Sequence, residues 1–160
     1  METTRHFVAT VYVVHDGETA LHEHDTLDMW LPPGGHIERD ELPHVAARRE
    51  VREELGLDPD LVAPQDDLSS ATAESIPQPQ HFLLEDINVH DGEVGHQHVD
   101  FVFYGSVEHR AIDPANGEAP AEAWEWFSRT DLDAASDRFA DDVLEIGRQA
   151  IQTIEGHPAK

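Results

Sequence analysis

The chain has 160 residues, 39% of them hydrophobic, which is enough to bury a core. Its 34 acidic residues against 10 basic ones give a formal net charge of -24, which argues against a long polyanion as partner. It has no cysteine, so disulfides, cysteine nucleophiles and thiolate metal sites are excluded, and any metal must be held by oxygen or histidine.

No apolar run approaches the ~20 residues needed to span a bilayer. The polar start, Met1 to His6, lacks the apolar stretch of a secretory signal. The expectation is a soluble, cytoplasmic protein with one domain over residues 1–160.

His6 to Val14 is rich in β-branched and aromatic residues and reads as a strand. Asp16-Gly17 signals a hairpin turn, with Thr19 to His24 as the returning strand. Leu31-Pro32-Pro33-Gly34-Gly35 is a breaker cluster. A helix follows over Glu41 to Leu55, with Asp40 as N-cap, Pro43 in the first turn and Gly56 at the C-terminal stop. Pro64 to Gln80 is polar and reads as a loop. His81 to Val89 and Gln97 to Val107 read as strands, with Asp91-Gly92 in the turn between them. After a loop over Ala111 to Pro120, Ala123 to Phe127 is a short strand, Thr130 caps a helical turn, and Arg138 to Glu155 is a C-terminal helix. That order suggests an α+β fold or an α/β/α sandwich.

The chemistry concentrates in Gly35 to Leu57. At ~100° per residue, Ala47, Val51 and Leu55 form one apolar stripe. Glu54, Glu50 and Glu53 fall at roughly -60°, -100° and -160° from Val51, all on one flank, with Arg48 and Arg52 on the other. Arg49 stands four residues before Glu53, the spacing of a helical ion pair. Clustered carboxylates repel one another unless a hard divalent cation binds them, and magnesium prefers such oxygen ligands. Just upstream, Gly34-Gly35 lets the backbone approach a ligand closely and offer a peptide oxygen. An acidic helix face is also commonly just solvated, and the carboxylates alone do not decide between the two.

Their spacing resembles a known signature. Gly35, Glu41, Arg49-Glu50, Val51, Glu53-Glu54, Gly56 and Leu57 match the Nudix box, G-x5-E-x7-R-E-U-x-E-E-x-G-U with U a bulky aliphatic, at every fixed position. Glu125-Trp126-Phe127-Ser128 is similar to the late strand of many Nudix proteins. The resemblance implies an α/β/α sandwich with a mixed sheet. It also implies magnesium-dependent hydrolysis of a diphosphate bond in a small nucleoside diphosphate-linked substrate, with manganese as a substitute metal. By position, Glu53 and Glu54 become magnesium ligands, and Glu50 a further ligand or the base. The Gly34 carbonyl becomes a candidate ligand, Arg49 orients the carboxylates, and Glu41 stands behind them. Many relatives are dimers, so a homodimer is compatible with this reading.

For the substrate, Arg39 is a candidate phosphate contact, and the rings of Trp30 and Phe82 are candidate base contacts, although core packing is the commoner role for such rings. His96, His98 and Asp100 share a strand face and are weaker candidates for metal or phosphate. Trp124 and Trp126 read as core. The 12 histidines raise zinc or nickel, but no H-x-E or H-E-x-x-H pattern appears, and that option is set aside. A catalytically silent nucleotide sensor is the alternative, though such domains usually lose box carboxylates. The isoprenoid isomerases of this fold rely on a cysteine that is missing here, and the acidity disfavours RNA decapping. The acidic composition itself resembles that of cytoplasmic proteins from salt-in halophiles.

Overall fold

A computed structural model describes residues 2–25 and 29–157. In chain order the elements are β1 (Thr4–His15), β2 (Glu18–Glu23), β3 (Trp30–Leu31), β4 (Gly34–His36), α1 (Pro43–Leu55), β5 (Asp60–Leu61), β6 (His81–His90), β7 (Glu93–Ser106), β8 (Trp124–Ser128), α2 (Arg129–Ala134) and α3 (Asp141–Glu155).

The strands form one mixed sheet. Its spine is the parallel pair β1 and β7, in register from Thr4 opposite His96 to Val14 opposite Ser106. The other strand pairings are antiparallel. Beyond the spine, β1 is flanked in two places: β4 pairs with Val8 to Thr10, and β2 with Val14 and His15.

Strand alternation gives the sheet two apolar faces. Ala9, Val11 and Val13 of β1 pack with Ala46, Ala47, Val51 and Leu55 of α1. Tyr12 and Val14 pack with Val143, Ile146, Ala150 and Ile151 of α3. The result is the expected α/β/α sandwich. Each fully buried Val, Leu or Ile contributes about 1.5–3 kcal/mol, so the position of α1 is fixed by its stripe. Both expected hairpin turns form. Asp16 and Gly17 have φ of 49° and 77°, and Asp91 and Gly92 have 51° and 80°, as a type I′ turn requires. No helix among the described residues is long and apolar enough to cross a membrane.

Several boundaries differ from the sequence expectations. α1 starts at Pro43 rather than Glu41, and its N-cap is Leu42 with no side-chain cap, so Asp40 does not serve. The residue before a proline is driven from helical to extended geometry, and Leu42 sits at φ -78° and ψ 149°. Ser128, not Thr130, caps α2, through a reciprocal capping box with Asp131. α3 starts at Asp141 rather than Arg138, because extended Phe139 leaves the helical path to pack edge-on against Phe127. β7 starts earlier than Gln97, because the tight turn at Asp91-Gly92 lets pairing with β6 resume at Glu93. The breaker cluster holds two short strands, β3 and β4, and Pro64 to Gln80 stays irregular apart from a bridge between Ser69 and Glu74.

Candidate active site

The short strand β4 sets the approach of α1 to the sheet. Val11 N–H donates to the Pro33 carbonyl at 3.0 Å and Ile37 N–H to the Phe7 carbonyl at 2.9 Å. In this antiparallel register the polar groups of Gly34 and His36 face away from β1. The His36 carbonyl accepts from Arg49 Nη2 at 3.0 Å, and the Gly34 backbone lies near enough to the Glu54 carboxylate to oppose part of the rise in its pKa. Gly35 permits the contact: a Cβ there would lie 2.5 Å from Cδ of Glu50.

Arg49 is the hub of the cluster. Its Nε and Nη2 grip Glu41 at 2.8 and 2.9 Å, while Nη1 donates to Glu50 at 2.9 Å and to Glu53 at 3.2 Å. That fork geometry is specific to arginine. The hydrogen bond to Arg49 holds the Glu41 carboxyl below its ordinary range. Glu41 also closes the preceding turn, accepting from Glu38 N–H at 3.2 Å.

The flank bearing the acids is not simply solvated. Glu50 is 9% exposed, and its carboxyl is raised by burial, against the opposing pull of Arg49. Glu54 lies deeper in charge terms: burial first, then the charges of Glu50, Glu118 and Glu53, push it up to about 8. Its Oε2 is buried without a hydrogen-bond partner among the described residues. A buried carboxylate oxygen left unpaired beside other acids is costly, and a cation relieves that cost. The donor set is entirely oxygen, which suits a hard ion such as magnesium rather than a soft one.

Glu118 was not singled out from the sequence. It lies in the loop after Ala111, where one acid among 34 carries no distinguishing signal. The loop is placed by the end of α1, where Asp113 N–H donates to the Leu55 carbonyl at 2.8 Å and Ala115 N–H to the Glu53 carbonyl at 2.7 Å. These bonds satisfy last-turn carbonyls, and Gly56, at φ 67°, turns the chain away with its N–H on the Arg52 carbonyl.

The residues singled out for substrate fall outside this hub. Arg39 is exposed on the turn before α1 and lines a shallow groove with Glu38, Asp40, Glu41, Leu42 and Val45. Trp30 is half-buried, edge-on to Phe127 and Phe139, with the Arg138 guanidinium 4.5 Å from its ring centre. Phe82 is 64% exposed and meets Phe101 edge-on. Trp124 is buried, as expected for core, and Trp126 is half-buried against the same cluster. Asp100 is buried beneath the sheet's α3 face, accepting from the Thr10 hydroxyl at 2.9 Å. Burial, then the charge of Glu85, push its pKa up.

A model of the NUDIX domain matches residues 4–145. The chain belongs to the Nudix family. It is 32% identical to a NUDIX-family hydrolase from Clostridium perfringens, over 94% of this chain and 99% of that one, with a TM-score of 0.81. More distant structures share the Nudix fold. The MutT protein from Bacillus halodurans is 17% identical, over 91% of this chain and 82% of that one, with a TM-score of 0.61. The E. coli ORF135 protein is 18% identical, over 99% of this chain and 96% of that one, with a TM-score of 0.56. No curated protein matches the chain by sequence. Nudix enzymes hydrolyse nucleoside diphosphate-linked substrates and generally use divalent metals such as magnesium, so this chain is a Nudix hydrolase by family.

Proposed function

We infer that this Nudix hydrolase, a single domain over residues 1–160, cuts a diphosphate bond in a small nucleoside diphosphate-linked substrate, with magnesium held by Glu50, Glu53, Glu54 and the Gly34 carbonyl. The observation that carries this reading is Glu54 Oε2, buried beside further carboxylates with no hydrogen-bond partner among the described residues. Bound magnesium supplies neutralisation of the phosphate charge and a lowered pKa for a coordinated water.

The chain's own residues do the rest. Arg49 touches no substrate in this reading; it aims Glu50 and Glu53 and is itself anchored by Glu41 and the His36 carbonyl. Glu50 either completes the ligand set or takes the proton of the attacking water. A carboxyl raised by burial has the basicity for that second role. Arg39, Trp30 and Phe82 are the proposed substrate contacts. Arg39 offers charge to a phosphate from an exposed turn, and the two rings offer faces or edges to a base. The acidic surface suits a halophilic cytoplasm and repels polynucleotides, which leaves small nucleotides as substrates.

The experiment is a chromatographic screen for mononucleotide products with magnesium, at high and low potassium chloride. Its panel spans nucleoside triphosphates, ADP-ribose, dinucleoside polyphosphates and NADH. Turnover that disappears with chelator, and drops about 100-fold or more in Glu53→Gln and Glu54→Gln, supports the reading. A nucleotide that binds tightly yet is never cleaved replaces it with a sensor.

A further inference from the structure

Four histidines meet at the edge of the sheet near the amino-terminal ends of β1 and β7, on the face opposite α1. His6 comes from β1, His36 from β4, and His96 and His98 from β7. Their rings contact one another in a closed cycle. The centroids are 5.1 Å apart for His6–His36, 5.3 Å for His36–His98, 5.1 Å for His96–His98 and 4.6 Å for His6–His96.

One ring nitrogen from each of His6, His36 and His96 lies within 4.8 Å of the other two. At the Zn–N length of about 2.0–2.1 Å, tetrahedral ligand atoms stand about 3.3 Å apart. One pair already has that spacing, with His6 Nδ1 and His36 Nε2 at 3.3 Å. The Thr4 hydroxyl holds His96 Nδ1 at 2.8 Å, the kind of outer contact that fixes a ligand ring. His6 and His36 are exposed, so a cation reaches the cluster from solvent.

We propose that His6, His36 and His96 form a binding site for a divalent transition cation of the zinc type, with His98 or water as the fourth ligand. Imidazole nitrogens select zinc, nickel or copper over magnesium, whereas the acids of α1 have the opposite preference. The two sites therefore take different ions and do not compete. They are joined through one residue, because the His36 carbonyl accepts from Arg49 while its ring belongs to the histidine cluster. An occupied cluster ties β1, β4 and β7 together at the end where the Nudix box begins. No local sequence pattern marks the site, since its ligands come from three strands far apart in the chain.

The test is calorimetric titration of zinc chloride into the full chain, free of any polyhistidine tag and of magnesium, in molar potassium chloride to suppress binding to the acidic surface. The expected result is one zinc per chain. Its affinity falls at least about tenfold in His6→Ala and in His36→Ala, and about tenfold in Thr4→Val. Glu53→Gln leaves zinc affinity unchanged, which separates this site from the magnesium site. Cobalt in place of zinc gives a visible ligand-field absorption that His6→Ala removes. His6 and His36 are exposed, so their replacement leaves the packing intact. Absence of stoichiometric zinc binding overturns the proposal. So does zinc affinity that survives His6→Ala and His36→Ala together, or that falls in Glu53→Gln.

Discussion

Arg49 clasps Glu41 with two parallel bonds, Nε to Oε2 at 2.8 Å and Nη2 to Oε1 at 2.9 Å, and so spans the turn that leads into α1. The remaining Nη1 reaches Glu50 and Glu53. Lysine has one ammonium and no fork, so it cannot serve all three acids. Arg49→Lys is expected to cost about 1–3 kcal/mol of stability, discounted from a fully buried pair because Arg49 is a quarter exposed. Its kcat is expected to fall about 10- to 100-fold, with KM changed less, because the carboxylates lose their aim. Urea denaturation and steady-state kinetics check both. Wild-type kcat in Arg49→Lys would show that the hub does not position the acids.

Glu54 and Asp100 set a pH dependence whose sign can be worked out. Glu54 is pushed up to about 8 from an ordinary 4.5, and Asp100 is raised together with its hydrogen-bonded neighbour Glu85. Below their ordinary values both states of the chain are protonated. Between there and about 8 the folded state keeps protons that the unfolded chain has released, so stability falls as pH rises through that window. The thermal midpoint of the metal-free protein is expected to decline from about pH 5 to about pH 8. Glu54→Gln removes the ionisation and is expected to flatten the decline. Magnesium stabilises wild type most at the alkaline end, where Glu54 is charged. Calorimetric scans with chelator and with magnesium test this. Stability that rises over the same window contradicts it.

Gly35→Ala probes how closely β4 approaches α1. The added Cβ would stand 2.5 Å from Cδ of Glu50, and β4 is held against β1 by its ladder bonds. The expected cost is about 1–3 kcal/mol, together with weaker magnesium binding. In a Glu50→Ala background the obstruction is gone, and the same substitution is expected to cost much less. That difference is the coupling term of a double-mutant cycle. Additive costs would mean that Gly35 serves something other than Glu50.

The site's core was legible in the sequence because it is local. Glu50, Glu53 and Glu54 lie within one helical turn and a half, and Arg49 stands at ion-pair spacing from Glu53, so periodicity alone brings them together. The paired type I′ turns were legible for the same reason. Legibility failed where a contact spans the chain. Glu118 enters only because the last carbonyls of α1 capture Asp113 and Ala115, and nothing local says so. The four histidines meet only because β1 and β7 pair in parallel and β4 pairs beside them. Helix starts were misread where one local force beat another: Pro43 displaced the expected Asp40 cap, and burial of Phe139 shortened the last helix.

Glu118→Gln tests whether this loop acid tunes the helix acids. Its charge adds to the upward push on both Glu50 and Glu54. Removing that charge is expected to lower both, and so to move the acid limb of the kcat/KM profile toward lower pH. Glu118 is exposed, so the fold is expected to be unaffected. A rate profile over pH, with magnesium held saturating, is the measurement. An unmoved limb would assign that ionisation to a group remote from the loop.

The surface charge yields the last prediction. A net charge of -24 on 160 residues repels itself across the whole surface, and the few arginines are largely committed to local pairs such as Arg52–Asp58, Arg110–Glu18 and Arg148–Asp133. In molar potassium chloride the screening length is ~3 Å, shorter than most spacings between exposed charges. Exposed ion pairs weaken under the same screening, but each contributes ~1 kcal/mol or less, so the loss of long-range repulsion dominates. The thermal midpoint is expected to rise by about 5–15 °C between 0.1 and about 2 M potassium chloride. Chloride is the right anion for the potassium salt, because sulfate would also strengthen apolar burial and blur the cause. A midpoint that is flat or falling over this range would show that repulsion among the surface acids does not limit stability.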